Sequence, residues 1–309
     1  MPHYATLKDL PAYPMTPATV VIDLGGTHLR LGHLSAEGPS TDEYKLGTEG
    51  LRQDEPIAFL ARTINAYAHA RHVEVTSVVL GVPFTPDRHL TTAVSSPNIR
   101  NLEGVPLTTD LSAVLGCPVR LERDINLLLL GEWRAGSARD AQTVFGMFVG
   151  TGVGGCYLEG GVPFRGATGA ALELGHIPIR AEGARCGCGN LDCLEAYACG
   201  RVLAELAAAA GADVRTVFRD APRYADLPRR LERFVDDLAR ALATGVNLFH
   251  PEVALVGGGV PEMPGFPRDR FTQTFYAHMR RPVPAETIKL EWAQLGSRAS
   301  LYGALASPL

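Results

Sequence analysis

The chain has 309 residues, of which 46% are hydrophobic and 20% are charged, and its formal net charge is −4. This length favours two domains, and this charge gives no reason to expect nucleic acid or an anionic membrane as a partner. No apolar run approaches the roughly 18 residues of a membrane span, and no signal peptide is recognisable. We therefore expect a cytoplasmic protein in which the six cysteines are reduced.

The first part of the chain predicts alternating strands and helices. Residues 1–18 contain four prolines and are expected to form an irregular arm. Residues 19–24 and 29–34 are apolar strands, and they should form a hairpin whose turn is Gly25-Gly26-Thr27. The elements expected next are a helix over 55–71, a strand over 77–82, a helix over 106–115 that Gly116 ends, and a strand over 119–123.

The same layout starts again at Thr143. Residues 143–164 predict a strand, a glycine turn and a second strand, which favours a duplicated fold, although glycine-rich hairpins are also common without duplication. The elements expected after this hairpin are helices over 201–210 and 231–249, a strand over 253–256, and a strand with a closing helix over 290–306. Because strands and helices alternate throughout, the predicted class is α/β.

Three glycine turns follow apolar strands: DLGGT (23–27), VGTGVGG (149–155) and VGGG (256–259). Each is individually better explained as a tight turn, but three together favour a nucleotide, since glycine lets backbone N–H groups face phosphate oxygens. None matches the P-loop or dinucleotide pattern. Asp23 is a candidate to orient Mg²⁺ through water, and capping of its own turn is the competing interpretation.

Two other polar residues have both a functional and a structural interpretation. Asp124 follows a strand end and begins a helix, so it is either a general base for an attacking hydroxyl or a helix N-cap. Asn98 lies in a Ser-Pro-Asn loop and either binds sugar hydroxyls or shapes a turn. Position alone favours the structural role for both residues.

The most specific signal is ELGHIPIRAEGARCGCGNLDCLE, residues 173–195. His176, Cys186, Cys188 and Cys193 supply one imidazole and three thiolates, a ligand set for structural tetrahedral zinc. The alternative is a group of unligated buried cysteines. Glu173 and Glu195 bracket the ligands, so a metal site here would hold both acids in place.

Taken together, these motifs resemble the ROK family of sugar kinases, in the actin-like ATPase superfamily, from Val20 to the end of the chain. DLGGT and VGTGVGG are similar to the family's two phosphate motifs, VGGG to its adenosine-side motif, and residues 173–195 to its zinc signature. The residue before the last cysteine is usually glycine in that signature, and here it is Asp192. The spacing from His176 to Cys186 is also slightly short, but neither change removes a ligand.

The resemblance implies two actin-like domains with ATP and sugar in the cleft between them, and a homodimer. It implies a small domain over 19–124 completed by the C-terminal helix at about 295–309, and a large domain over 125–294. Asp124 is then the catalytic base. The sugar ligands are Asn98, Arg123, Asp124, Glu173, His176 and Glu195. The ATP ligands are Asp23, Gly25, Gly26, Thr27, Gly150, Thr151, Gly152, Gly154, Gly257, Gly258 and Gly259.

One departure from the family concerns the sugar. Most family glucokinases have Asn-Asp where this chain has Arg123-Asp124, and arginine has no acceptor for a hydroxyl. The Arg-Asp-x-Asn-Leu run, the Ser-Pro-Asn loop, GHIPI and GGGVPEMPGFPR are similar to bacterial D-allose kinases. D-allose is therefore the leading predicted substrate. The alternative is that Arg123 points away from the sugar and pairs with Glu122 or a neighbouring acid.

The same residues leave other functions open. Glucokinase, N-acetylmannosamine kinase and fructokinase are alternatives within the enzyme class. A sugar-responsive repressor of the same family needs a helix-turn-helix before the first strand, and only about eighteen proline-broken residues precede Val20, too few for that unit. A non-catalytic sensor is disfavoured because Asp124 and all three glycine turns are present.

Overall fold

The computed structural model describes residues 15–25, 28–53, 55–96 and 99–306. The chain divides into two compact units, unit 1 over Met1–Glu122 and unit 2 over Arg123–Leu309. Each unit contains one main sheet and several helices, so the predicted α/β class is confirmed. Of the helices in the described ranges, none combines the length and the apolar character that crossing a membrane requires.

The strands of unit 1 build one main sheet and a small ribbon. They are β1 (Thr16–Leu24), β2 (His28–Ser35), β3 (Gly38–Pro39), β4 (Tyr44–Gly47), β5 (Val73–Val82), β6 (Thr85–Pro86), β7 (Ala93–Ser95) and β8 (Val119–Arg123). The main sheet has the order β3-β2-β1-β5-β8, with β4 also paired to β2. The β1–β2 pair is antiparallel and the β1–β5 pair is parallel.

The helices of unit 1 are α1 (Glu49–Gln53), α2 (Pro56–Arg71) and α3 (Leu107–Leu115). The α2 helix begins at Pro56, which suits a first helical position, and the Glu55 carboxylate accepts the N–H of Ala58 at 2.8 Å. Its apolar face buries Leu60 and Ile64 completely. Burial of this face against the sheet is what stabilises the helix.

Unit 2 repeats the combination of a hairpin with a crossover to parallel strands. Its strands are β9 (Thr143–Val149), β10 (Val153–Glu159), β11 (Val162–Pro163), β12 (Val253–Gly257) and β13 (Lys289–Trp292). Its helices are α4 (Asp124–Ala135), α5 (Gly200–Ala210), α6 (Val217–Asp220), α7 (Leu227–Phe249), α8 (Arg268–Ala277) and α9 (Ala299–Ala306). The sheet order is β11-β10-β9-β12-β13.

The long helix α7 supplies most of the helical side of the unit 2 core. Its apolar stripe includes Phe234, Leu238 and Leu242, which are all at most 1% exposed. Gly245 permits close packing on the sheet, because a Cβ there would lie 2.3 Å from the ring of Phe145. The sheet is therefore covered by a helix that the sequence predicted from its 3.6-residue period.

The C-terminal helix α9 packs on α4 within unit 2, whereas the sequence interpretation joined it to the small domain. Small residues explain the close approach of the two helices. A Cβ at Gly131 would lie 2.0 Å from the carbonyl oxygen of Ala299, and one at Gly303 would lie 2.0 Å from that of Leu127. The other predicted domain bounds stay predictions.

Candidate functional site

The turn between β9 and β10, Gly150 to Gly152, is held by backbone hydrogen bonds. At the start of α5 the N–H groups of Gly200 and Arg201 donate to the carbonyl oxygens of Gly150 and Thr151, at 2.7 and 3.3 Å. The N–H groups of Thr151 and Gly152 donate to no atom of the described residues. Two adjacent N–H groups of this kind are suited to an anion such as a phosphate oxygen.

Glu195 lies in the 3-10 turn Leu194–Ala196 and contacts the same glycine turn. Its Oε2 atom accepts the N–H of Val153 at 2.8 Å. A Cβ at Gly152 would lie only 2.3 Å from this oxygen, so the missing side chain at Gly152 leaves the space that the carboxylate fills. The predicted hydroxyl-binding acid thus lies directly against the predicted phosphate turn.

The two glycines that follow allow β10 to be packed closely from both sides. A Cβ at Gly154 would lie 2.8 Å from Cδ1 of Ile125, in the first turn of α4. A Cβ at Gly155 would lie 2.8 Å from the carbonyl oxygen of Leu172. The second glycine motif therefore brings the start of α4 and the segment around residue 172 against the same strand.

Glu173 is presented by a strained segment. Leu172 has φ of +63°, in the left-handed region that residues with side chains rarely adopt. Glu173 has φ of −71° and ψ of 61°, and the N–H of Leu174 donates to the carbonyl of Leu172 at 2.7 Å, which is an inverse γ-turn. The Glu173 side chain is 41% exposed. Strain of this kind is typical of functional sites.

Arg123, at the end of β8, contacts this segment with both terminal nitrogens. Nη1 donates to the carbonyl oxygen of Ala171 at 2.7 Å, and Nη2 donates to Oε1 of Glu173 at 2.8 Å. The Arg123 side chain is only 13% exposed. The acid that Arg123 pairs with is thus one of the predicted sugar ligands, and one Glu173 oxygen is already engaged.

Asp124 is the first residue of α4. Its Oδ1 atom accepts the N–H of the next residue, Ile125, at 2.7 Å, and the N-cap position is occupied by Arg123, which makes no side-chain capping hydrogen bond. A carboxylate at a helix N-terminus is stabilised by the helix dipole. Asp124 is therefore not the N-cap of α4, and its role as a base stays a prediction.

The four predicted metal ligands come together. All of their donor atoms lie within 4.8 Å of one another. The Cys186 Sγ atom is 3.5 Å from Nδ1 of His176, and the Sγ atoms of Cys188 and Cys193 are 3.7 Å apart. Burial, together with the neighbouring thiols, raises the pKa of Cys193 to about 12. A cation beside the sulfur would favour the thiolate form of Cys193.

The backbone conformation and the hydrogen bonds of Asp192 explain how aspartate takes the position where the zinc signature usually has glycine. Its φ is +62°, a conformation that favours glycine. Its Oδ1 atom accepts the N–H groups of residues 182–184 at 3.1, 2.7 and 3.0 Å, and it also accepts the hydroxyl of Tyr197. The Tyr197 hydrogen bond, followed by the backbone N–H groups, lowers the pKa of Asp192. The side chain thus fastens the loop that precedes Cys186.

The third glycine motif, at the end of β12, packs against the end of β9. Gly258 has φ of +94°, and a Cβ there would lie 2.5 Å from the carbonyl oxygen of Val149. Val260 donates its N–H to that same oxygen at 3.0 Å. A Cβ at Gly259 would meet nothing within 4 Å. The motif therefore contributes to fixing the strand that leads into the Gly150 turn.

In unit 1, Asp23 lies near the end of β1. Its Oδ2 atom is 3.6 Å from Nη1 of Arg30, on the neighbouring strand. Burial raises the pKa of Asp23, and the Arg30 charge opposes this effect. The N–H of Gly25 donates to the carbonyl of His28 at 2.8 Å, which closes the hairpin. The predicted site residues Gly26, Thr27 and Asn98 lie outside the described residues.

Several contributors to this site could not be identified from the sequence. The Val153 N–H and the Ala171 carbonyl are backbone groups, which carry no signal in side-chain identity. The left-handed conformation of Leu172 has no signal either, because leucine is not a residue that favours it. Tyr197 carried a weak signal, since a tyrosine close to a metal ligand set often uses its hydroxyl in a hydrogen bond.

Comparison with known proteins gives a family and several relatives. The sequence model of the ROK family matches residues 19–307. A glucokinase from Thermotoga maritima is 33% identical over 261 residues, covering 77% of this chain and 81% of that protein. A glucokinase from Streptomyces coelicolor is 30% identical, covering 93% and 96%. An N-acetyl-D-glucosamine kinase from Pectobacterium carotovorum is 30% identical, covering 77% and 82%.

Solved structures share the fold over almost the whole chain. A ROK hexokinase from Thermus thermophilus superposes with a TM-score of 0.78 at 28% identity, covering 94% of this chain and 97% of that chain. A ROK family glucokinase from Streptomyces griseus, in complex with glucose and AMPPNP, superposes with a TM-score of 0.76 at 27% identity. The match covers 93% of this chain and 97% of that chain. A ROK family transcriptional regulator, a homolog of the E. coli MLC protein, superposes with a TM-score of 0.82 at 22% identity, covering 95% of this chain and 78% of that chain. At this identity the likeness shows the fold alone.

Proposed function

The chain belongs to the ROK family, and from that premise we propose that it is an ATP-dependent sugar kinase. It transfers the γ-phosphoryl group of ATP to the 6-hydroxyl of a hexose. The relatives that support this activity are two glucokinases and an N-acetyl-D-glucosamine kinase, each at least 30% identical over at least 77% of this chain.

One contact supports the proposal best. The Glu195 carboxylate hydrogen-bonds Val153 at 2.8 Å and fills the space beside Gly152. A kinase has to hold an acceptor hydroxyl next to the transferred phosphoryl group, because most of its catalysis is positioning. An acid that accepts hydroxyl hydrogen bonds, placed against a turn with two available N–H groups, is suited to that task.

Asp124 is the proposed base. The sugar 6-oxygen attacks the γ-phosphorus of ATP, a new oxygen–phosphorus bond forms, and the bond to the leaving ADP breaks. The hydroxyl proton passes to the Asp124 carboxylate and then to solvent. The remaining proposed sugar ligands are Asn98, Arg123, Glu173, His176 and Glu195.

The glycine motifs are the proposed ATP ligands. Gly25, Gly26 and Thr27 in unit 1, and Gly150, Thr151, Gly152 and Gly154 in unit 2, would bind the phosphates through backbone N–H groups. Gly257, Gly258 and Gly259 would lie on the adenosine side. Asp23 would orient Mg²⁺ through water, and a divalent cation there would stabilise the charged form of this buried carboxylate.

The proposed metal is structural zinc on His176, Cys186, Cys188 and Cys193. Tetrahedral zinc with bonds of about 2.3 Å to sulfur and about 2.0 Å to nitrogen sets S–S and S–N separations of about 3.8 and 3.5 Å. The separations of 3.7 and 3.5 Å in the structure agree with these values. With four protein ligands no coordination position is left for substrate, so the metal would brace the segment that carries Glu173 and Glu195.

The identity of the hexose rests on two observations that favour different sugars. The glucokinase relatives favour D-glucose. The Arg123-Asp124 pair of residues and the other motifs similar to bacterial D-allose kinases favour D-allose, which differs from glucose in the direction of the 3-hydroxyl. We propose D-glucose as the first substrate to test and D-allose as the second. A homodimer and a cytoplasmic location stay predictions.

A panel of aldohexoses tests the activity and separates these two sugars. kcat/KM is measured with D-glucose, D-allose, N-acetyl-D-glucosamine and N-acetyl-D-mannosamine, for the wild type and for Arg123→Asn. If Arg123 sets the preference at the 3-hydroxyl, the substitution should shift the glucose-to-allose ratio towards glucose by about tenfold or more. An unchanged ratio would contradict a role of Arg123 in selection, and no turnover of any hexose would contradict the kinase proposal.

A further inference from the structure

The segment that carries the metal ligands touches the start of β10 at two places. A Cβ at Gly175 would lie 2.4 Å from the carbonyl oxygen of Val153, so the backbone at Gly175 packs directly on that residue. From the other side, Glu195 accepts the N–H of Val153 at 2.8 Å. Val153 is therefore held between the residue before His176 and the second residue after Cys193.

The other supports of the glycine turn are all backbone groups. They come from the start of α5, through Gly200 and Arg201, and from Val260, which donates to Val149. Within the described part of the chain, no side chain other than that of Glu195 hydrogen-bonds residues 149–153. Among the described residues, Glu195 therefore makes the one side-chain hydrogen bond to this turn, and a substitution can remove it.

The two oxygens of Glu195 differ in their surroundings. Oε2 is engaged by Val153, whereas Oε1 accepts no hydrogen bond from the described residues. Oε1 can therefore accept a hydroxyl while Oε2 stays on the turn. A carboxylate that binds two groups at once links their positions. A sugar hydroxyl that orders the Glu195 carboxylate through Oε1 therefore also stabilises the hydrogen bond from Oε2 to the turn.

We propose that Glu195 is a positioning residue that couples the two substrates. Its Oε2 atom fixes the phosphate-binding turn, and its Oε1 atom accepts a sugar hydroxyl, so a bound sugar orders the turn and raises nucleotide affinity. This inference rests on the proposed kinase function. It goes beyond a sugar contact, because it predicts that Glu195 affects nucleotide binding when no sugar is present.

The test measures the Kd of AMPPNP with Mg²⁺ by calorimetry, without sugar and with saturating hexose. In the wild type the hexose should tighten AMPPNP binding by about fivefold or more. Glu195→Ala should weaken sugar-free binding by about tenfold, the effect of losing a hydrogen bond to a charged group, and the hexose should no longer tighten it. Glu195→Gln keeps an oxygen for Val153 and should stay within about threefold of the wild type without sugar.

Controls separate this role from a general loss of structure. Glu205→Ala removes an exposed acid on α5 and should leave both constants unchanged. Metal content and melting temperature are measured for each variant. If Glu195→Ala does not fold, Glu195→Asp decides the question, because it keeps the carboxylate charge but shortens the side chain by one methylene, so it should lose the hydrogen bond to Val153 and weaken sugar-free AMPPNP binding.

The outcomes are distinguishable from a failure of the kinase proposal. If the wild type binds no AMPPNP, the proposed function itself fails. If the wild type binds AMPPNP and Glu195→Ala binds it equally well without sugar, only the coupling role is overturned. Weaker sugar binding with unchanged AMPPNP binding would assign Glu195 to the sugar alone and would also overturn it.

Discussion

The two sheets of this protein have the same strand order, and the described contacts beside their glycine turns differ. In each unit a short strand, a hairpin and two further strands follow in the same sequence, β3-β2-β1-β5-β8 in unit 1 and β11-β10-β9-β12-β13 in unit 2. The first strand of each hairpin also pairs in parallel with the next strand of the order. This shared topology favours the duplicated fold that the repeated layout predicted.

The difference between the hairpins lies in what holds the turn. In unit 1, Gly25 donates its N–H to the carbonyl of His28 across the hairpin and Asp23 pairs with Arg30, which also pairs with Glu43 outside the hairpin. In unit 2, the turn is fixed from outside, by Glu195, by the start of α5 and by Val260. The comparison teaches that the glycine turn of unit 2 depends on parts of the chain that are distant in sequence, whereas Gly26 and Thr27 of the unit 1 turn lie outside the described residues.

The substitution with the largest expected effect tests whether Asp124, in unit 2, accepts the proton of the sugar hydroxyl. Asp124→Asn should lower kcat by about 10²- to 10⁴-fold and leave hexose binding nearly unchanged, because the amide cannot accept the proton. Asp23→Asn, in unit 1, should instead act mainly on the KM for MgATP. Steady-state kinetics and calorimetry measure both, with the exposed Asp226→Asn as control. Near wild-type turnover by Asp124→Asn would show that the base is another group.

The next largest effect is expected in the zinc content of variants that lack a cysteine in unit 2 or in unit 1. Cys193→Ser should lose most of its zinc, because it removes one of four ligands, and sugar affinity should fall with it. Cys117→Ser, in unit 1, should keep the zinc content of the wild type, since Cys117 lies outside the ligand cluster. Zinc well below one per chain in freshly purified wild type would contradict the metal assignment.

The glycines at the end of β12 provide a matched pair. Gly258→Ala should destabilise the protein by about 2–3 kcal/mol, because φ is +94° and the new Cβ would meet the Val149 carbonyl at 2.5 Å. Gly259→Ala, with nothing within 4 Å of its Cβ, should cost about 1 kcal/mol or less. Denaturant unfolding measures both, and equal losses would mean that this motif does not support the unit 2 turn as described.

The smallest expected effect concerns Asp192. Asp192→Ala should lower the denaturant concentration at which the protein unfolds, because three N–H groups and the Tyr197 hydroxyl lose their acceptor. Asp192→Asn keeps an acceptor oxygen and should cost less. If both variants unfold at the same denaturant concentration as the wild type, the loop before Cys186 does not need this side chain.

The sequence predicted most of the fold, because most elements have local signals. The strand predicted over 119–123 is β8 residue for residue, and the helix predicted over 55–71 agrees with α2 to within one residue. The edge strand β4 was not predicted, since its residues are exposed or half-buried and show no apolar alternation. The partner of α9 was not predicted either, because its packing depends on glycines of two helices.

For the candidate site, the sequence predicted the metal ligand cluster but not the contacts between the site residues. The metal ligand cluster follows from spacing within eighteen residues, 176–193. The Glu195–Val153 and Arg123–Glu173 contacts join residues 42 and 50 positions apart, and one of the partners is a backbone group. No local pattern encodes such contacts, so they required the structure.

The central claim is that this chain phosphorylates a hexose from ATP at the 6-hydroxyl. The most direct measurement is ³¹P and ¹³C NMR of the products formed from MgATP with D-glucose and with D-allose. The account predicts ADP and a hexose 6-phosphate in equal amounts, with little product from Asp124→Asn. Formation of no phosphorylated hexose, or of one carrying phosphate on another oxygen, would contradict it.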